Sequence, residues 1–98
     1  MTSPPRGGRH FHDVRVGDEL PSIALLVTAS TVVLGALAAR DVAPVHHDPA
    51  AARARGIADI FLDQPTQAAW LERLISDWTG PTARLARLTF AMRAPIVP

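Results

Sequence analysis

One stretch of the chain carries apolar residues at clear helical spacing. Ala68, Leu71, Leu74, Ile75 and Trp78 share one side of a 3.6-residue helix, while Glu72, Arg73, Ser76 and Asp77 fall elsewhere on the wheel. Asp63 or Gln64 can cap its start, Pro65 suits the first turn, and Gly80-Pro81 stops it. The pattern therefore predicts a long helix from Pro65 to Thr79. A second helix is predicted from a cap at Thr28 or Ser30 to about Ala39, because a hydroxyl there satisfies a free amide of the first turn. A short alanine-rich helix should start at Pro49 and end at Gly56 as a left-handed residue.

Other segments read as extended. Phe11 to Glu19 is a short piece ending at the Gly17-Asp18 turn, and Ser22 to Val27 is an apolar run of strand length. Arg84 to Met92 alternates, with Leu88, Phe90 and Met92 on one face and Arg87, Thr89 and Arg93 on the other. Strands and helices together give an α+β class. Met1 to Gly8, rich in Pro and Gly, reads as a disordered leader, which leaves one domain over residues 9–98 with no internal boundary.

Composition narrows the functions. Pro21 to Ala39 is uncharged and near bilayer-spanning length, but Thr28, Ser30, Thr31 and Gly35 interrupt it, so a strand followed by a buried helix is expected rather than a membrane span. Net charge is +1 and all ten basic residues are Arg, scattered from Arg6 to Arg93 with no basic face, which argues against nucleic acid. With no cysteine, disulfide scaffolds, thiolate nucleophiles and Cys-ligated zinc are excluded. The amino terminus lacks the apolar stretch of a secretory signal, so a cytoplasmic protein is expected. His10 and His12 have no evident third ligand, and no metal site is expected. A 98-residue chain buries only a moderate share of its apolar surface, which favours a partner.

Between the predicted helices lies Asp41-Val42-Ala43-Pro44-Val45-His46-His47-Asp48-Pro49, a polar loop braced by two prolines. Asp41 and His46 stand five residues apart in it, and an Asp near a His in a Pro-containing loop is by itself usually a capping or turn arrangement. Asp48 before Pro49 suits a helix cap better than catalysis. The Asp-x-x-Pro-x-His spacing, the apolar helix before it and the amphipathic helix ending in Asp77-Trp78-Thr79-Gly80 resemble the MaoC-like enoyl-CoA hydratases. Within that family the run from Arg40-Asp41 to His46-His47-Asp48, then Gly56, Asp59-Ile60-Phe61 and Asp77 to Pro81, is most similar to the small subunit of the heteromeric steroid side-chain hydratase of actinobacteria.

The resemblance covers roughly Thr28 to Pro98 and implies a hot-dog fold, a curved antiparallel sheet around the long helix. It implies hydration of an enoyl-CoA thioester without a cofactor, and a second MaoC-like subunit in a heterodimer or heterotetramer. Asp41 and His46 would be the catalytic pair, and backbone amides at Gln64 and Thr66 would meet the thioester oxygen at the positive end of the helix. The sequence departs from the family pattern at Arg40, commonly Gly; at Ala43, commonly Asn; and at Asp63-Gln64, where many members have His-Gly. Family members also continue with about two more strands, so the sheet is expected to be incomplete or completed by a partner. Rival readings are a non-catalytic subunit shaping a partner's acyl pocket, a hot-dog thioesterase and a structural interaction module.

Overall fold

The computed structural model describes residues 9–98; the expected leader, 1–8, lies outside the described residues. These residues form three α-helices and two 3-10 turns: a turn at Phe11–Asp13, α1 at Ala29–Ala38, a turn at Pro44–His46, α2 at Pro49–Ala54 and α3 at Gln64–Thr79. By packing they fall into two units, one of the residues up to Leu25 with Trp70–Thr89, the other of Leu26–Ala69 with Phe90–Pro98.

The helices start and stop for reasons visible in the sequence. Thr28 caps α1 in a reciprocal box, its hydroxyl accepting from the Thr31 amide at 3.2 Å while the Thr28 amide donates to the Thr31 hydroxyl at 3.1 Å. Asp48 caps α2 by accepting from the Ala50 amide at 3.0 Å, with Pro49 in the first turn. Gly56, at φ 81°, ends α2 in the left-handed region: its amide donates to the Arg53 carbonyl at 2.9 Å and the Ile57 amide to the Ala52 carbonyl at 3.1 Å. Those two bonds are the Schellman pair that satisfies a helix's last carbonyls. On α3, Ala68, Leu71, Leu74, Ile75 and Trp78 are all half-buried while Glu72, Arg73 and Ser76 are exposed, as the spacing predicted; Asp77, expected off the stripe, is half-buried too.

The core of the second unit is Val32 and Ala36 of α1, Val45, Ala52 of α2, and Ile60 and Leu62, with His46 and Asp63 buried among the polar residues. In the first unit, Arg9 closes the end of α3. Its amide donates to the Thr79 carbonyl at 2.9 Å, its Nε donates to the Trp78 carbonyl at 3.1 Å, and its guanidinium lies 4.6 Å from the Trp78 ring centre. Carbonyls left over at a helix end are thereby satisfied by a cation, with a cation–π contact in addition.

The expected strands require correction: no strand is assigned among the described residues. Phe11–Asp13 is a 3-10 turn, because the Asp13 carboxylate accepts from the His10 amide at 3.3 Å and offers the backbone a local alternative to a ladder. Ser22–Val27 and Arg84–Met92 lack regular structure, and Leu26, Leu88 and Met92 are exposed. Alternation selects a face, but a strand exists only where a neighbour completes its hydrogen bonds, and no local pattern names that neighbour. The curved sheet is therefore not formed among these residues. No helix among them is long and apolar enough to cross a membrane.

Candidate active site

The loop between α1 and α2 is held by the way α1 ends. Arg40 has φ 56°, the one left-handed non-glycine among the described residues, and its amide donates to the Leu37 carbonyl at 3.0 Å. The Asp41 amide then reaches back to the Ala36 carbonyl at 2.8 Å. This is again a Schellman closure, and it fixes the Asp41 backbone to the last turn of α1. Position 40 is left-handed, a conformation that glycine supplies freely and Arg supplies at a steric cost.

Asp41 next folds its side chain over the loop. Its Oδ1 accepts from the Ala43 amide at 3.2 Å, the local turn that a short carboxylate favours. A side chain at 43 is not needed for this contact, so Ala in place of Asn leaves it intact. From the 3-10 turn at Pro44–His46, where the His46 amide donates to the Ala43 carbonyl at 3.1 Å, the imidazole comes back to the carboxylate. His46 Nε2 lies 3.2 Å from Asp41 Oδ2.

The other face of the ring fixes the chemistry of this contact. His46 Nδ1 is 2.7 Å from the Phe61 carbonyl oxygen. A carbonyl can only accept, so Nδ1 carries a hydrogen, and a neutral ring then presents a bare lone pair at Nε2. Nε2 is thereby the ring nitrogen turned to Asp41, and the 3.2 Å approach places imidazole and carboxylate as neighbours. The Phe61 ring meets the imidazole edge-on, with centroids 4.8 Å apart at 70°, and the Phe61 amide donates to the Val45 carbonyl at 3.4 Å. The imidazole is thus held on both nitrogens and one face.

The two partners differ in access. The His46 side chain is 8% exposed and that of Asp41 34%. Asp41 also lines a cavity of about 250 Å³ together with Val33, Ala36, Leu37, Val42 and His47. The exposed lining is mostly apolar, so the carboxylate stands at the edge of an open, largely apolar pocket.

Gln64 and Thr66 open α3, Gln64 exposed and Thr66 half-buried. Between them and Phe61 stands Asp63, 1% exposed, whose Oδ1 accepts from the Thr66 hydroxyl while its Oδ2 is buried with no hydrogen-bond partner. Sequence reasoning names Asp63 as a cap and Thr66 as an oxyanion donor but misses their contact with one another and the Phe61 carbonyl that holds His46. A backbone acceptor fifteen residues from the histidine leaves no mark in the pattern, whereas an Asp three residues before a Thr at a helix start is a recognisable cap signal. Elsewhere, the exposed His10 and His12 rings stack with centroids 6.1 Å apart.

No family model matches the chain. It is 36% identical over 80 residues to the 3-oxo-4,17-pregnadiene-20-carboxyl-CoA hydratase beta subunit of Mycobacterium tuberculosis, a match covering 82% of this chain and 62% of that protein. In three dimensions it is similar to a chain in the crystal structure of the ChsH1-ChsH2 complex from the same organism. That match has a TM-score of 0.75 and 35% identity, and covers 79% of this chain and 61% of the other. The chain thus spans less than two thirds of the length of the relatives it matches.

Proposed function

We propose that this chain, a homologue over 80 residues of a steroid CoA hydratase beta subunit, is a MaoC-like, hot-dog-fold subunit of a cytoplasmic enoyl-CoA hydratase. It adds water across the 2,3 double bond of an acyl-CoA thioester bearing a steroid side chain, together with a second MaoC-like subunit. The observation that carries the reading is the Asp41–His46 contact of 3.2 Å beside an apolar cavity. A heteromeric assembly is supported by the similar two-component complex. Size supports it too: about 250 Å³ lies below the roughly 300–1,000 Å³ of ordinary ligand pockets, so a bulky acyl group needs further walls.

We assign the direct contact with water to Asp41, which lines the cavity and keeps unused acceptor capacity. Asp41 takes a proton from the water as its oxygen bonds to the β-carbon, and the π electrons move onto the thioester to give an enolate. His46 orients Asp41 and shares the proton. The pair then delivers a proton to the α-carbon, so one water is added and the pair is regenerated. The enolate oxygen is assigned to the backbone amides of Gln64 and Thr66, where the dipole of α3 favours negative charge. The Thr66 hydroxyl is committed to Asp63 and takes no part.

The test is co-expression with the second MaoC-like subunit and assay on a steroid-derived enoyl-CoA, with Asp41→Ala and His46→Ala made separately. Each should lower turnover by about 10²-fold or more, the usual contribution of a positioned acid or base. Unchanged turnover in both would reject the catalytic assignment and leave a subunit that shapes its partner's pocket. Release of free CoA would identify a thioesterase instead.

A further inference from the structure

Gly35 sits in the middle of α1, where alanine would favour the helix more, so its absence of a side chain calls for a reason. A Cβ at this position would meet Thr66 Oγ1 at 2.5 Å, Thr66 Cγ2 at 3.2 Å and Thr66 Cβ at 3.4 Å. Here α1 touches the first turn of α3. Thr66 cannot swing away freely, because its hydroxyl is the donor to Asp63 Oδ1, and the other oxygen of that buried carboxyl already lacks a partner.

This contact belongs to a closed loop of interactions that includes the catalytic pair. From Gly35, α1 runs on to the Ala36 carbonyl, which holds the Asp41 amide at 2.8 Å. Asp41 meets His46 at 3.2 Å, and His46 is held at 2.7 Å by the carbonyl of Phe61. Phe61 leads through Leu62 to Asp63, which returns to Thr66. Asp41 thus moves with α1, and His46 is tied to the segment that enters α3. Besides the packing of α1 on the turn that carries His46, the two sides bear on one another at Gly35 against Thr66.

We propose that Gly35 is a positioning residue of the active site: by letting α1 seat directly on Thr66, it sets the distance between Asp41 and His46. Relieving a contact of 2.5 Å to an ordinary 3.4 Å needs a shift of about 0.9 Å (3.4 − 2.5). A misplacement of about 1 Å costs on the order of 10²-fold in rate. The inference rests on the catalytic reading of the Asp41–His46 pair, and its test separates the two.

The experiment is a cycle of Gly35→Ala, Thr66→Ala and the double variant, each in the full chain with the second subunit. The readouts are kcat and KM, and the ring nitrogen signals of His46 by NMR. Gly35→Ala should lower kcat by about 10²-fold with KM changed little, and should shift the Nε2 signal. In the Thr66→Ala background, where the obstructing atoms are gone, the same glycine change should alter kcat by less than about threefold and leave the signal in place. If Gly35→Ala alone does not fold, the comparison of Thr66→Ala with the double variant decides. Equal losses in both backgrounds, or an unmoved Nε2 signal in a folded Gly35→Ala, would overturn the inference. A wild-type complex that hydrates nothing would defeat the catalytic reading alone, since the NMR arm still reports the positioning.

Discussion

Replacing His46 with Asn separates the two jobs of the imidazole. The asparagine amide nitrogen stands near the Nδ1 position, so it can still donate to the Phe61 carbonyl, now met at 2.7 Å. It cannot reach Asp41 as Nε2 does at 3.2 Å. The stability cost is then the lost edge-on contact with Phe61, about 0.5–1.5 kcal/mol, and some packing volume. His46→Ala also strands the half-buried Phe61 carbonyl, which adds up to about 1–3 kcal/mol. Chemical denaturation of the chain should therefore rank wild type above His46→Asn and His46→Asn above His46→Ala, with up to about 1–3 kcal/mol between the variants. Both variants should lose about 10²–10⁴-fold in hydration rate, because neither can share a proton with Asp41. Equal stabilities of the two variants would refute the anchoring role of Phe61. A His46→Asn complex within a few-fold of wild-type rate would refute the use of the imidazole.

Other consequences follow from the same geometry. Asp41→Asn keeps the Ala43 contact and can donate to a neutral His46 Nε2, so stability should change by less than about 1 kcal/mol while turnover falls about 10²–10⁴-fold, as read by denaturation and enoyl-CoA assay together. Arg40→Gly relieves the φ of 56° and should stabilise the fold by roughly 1 kcal/mol in a denaturant titration, with activity retained. Leu62→Ala empties a position that is 0% exposed and should cost about 2–5 kcal/mol, seen as a lower denaturation midpoint.

Much of this site was legible before any coordinates. The caps at Thr28 and Asp48, the left-handed Gly56 and the stripe on α3 are local signals, set by residues within a turn of one another, and they appear where the spacing put them. Asp41 and His46 were singled out by the resemblance of their spacing to the MaoC-like hydratases, and their side chains do meet, at 3.2 Å. Three features were not readable. The grip of the Phe61 carbonyl on His46 is a backbone contact across fifteen residues, and the approach of Gly35 to Thr66 depends on how α1 meets α3. The extended segments 22–27 and 84–92 showed strand-like patterns, but a ladder depends on a partner that such patterns cannot specify. Arg40 is instructive in another way: it holds a left-handed turn that glycine would adopt freely, at the steric cost of a side chain there.

The most direct test is the mass of the product formed from a steroid-derived enoyl-CoA in water enriched in ¹⁸O, using the chain assembled with its second subunit. A water-adding pair predicts an intact thioester carrying one labelled hydroxyl, formed by wild type and lost in Asp41→Asn. An unlabelled substrate that stays unchanged, or labelled acid with free CoA, would contradict it.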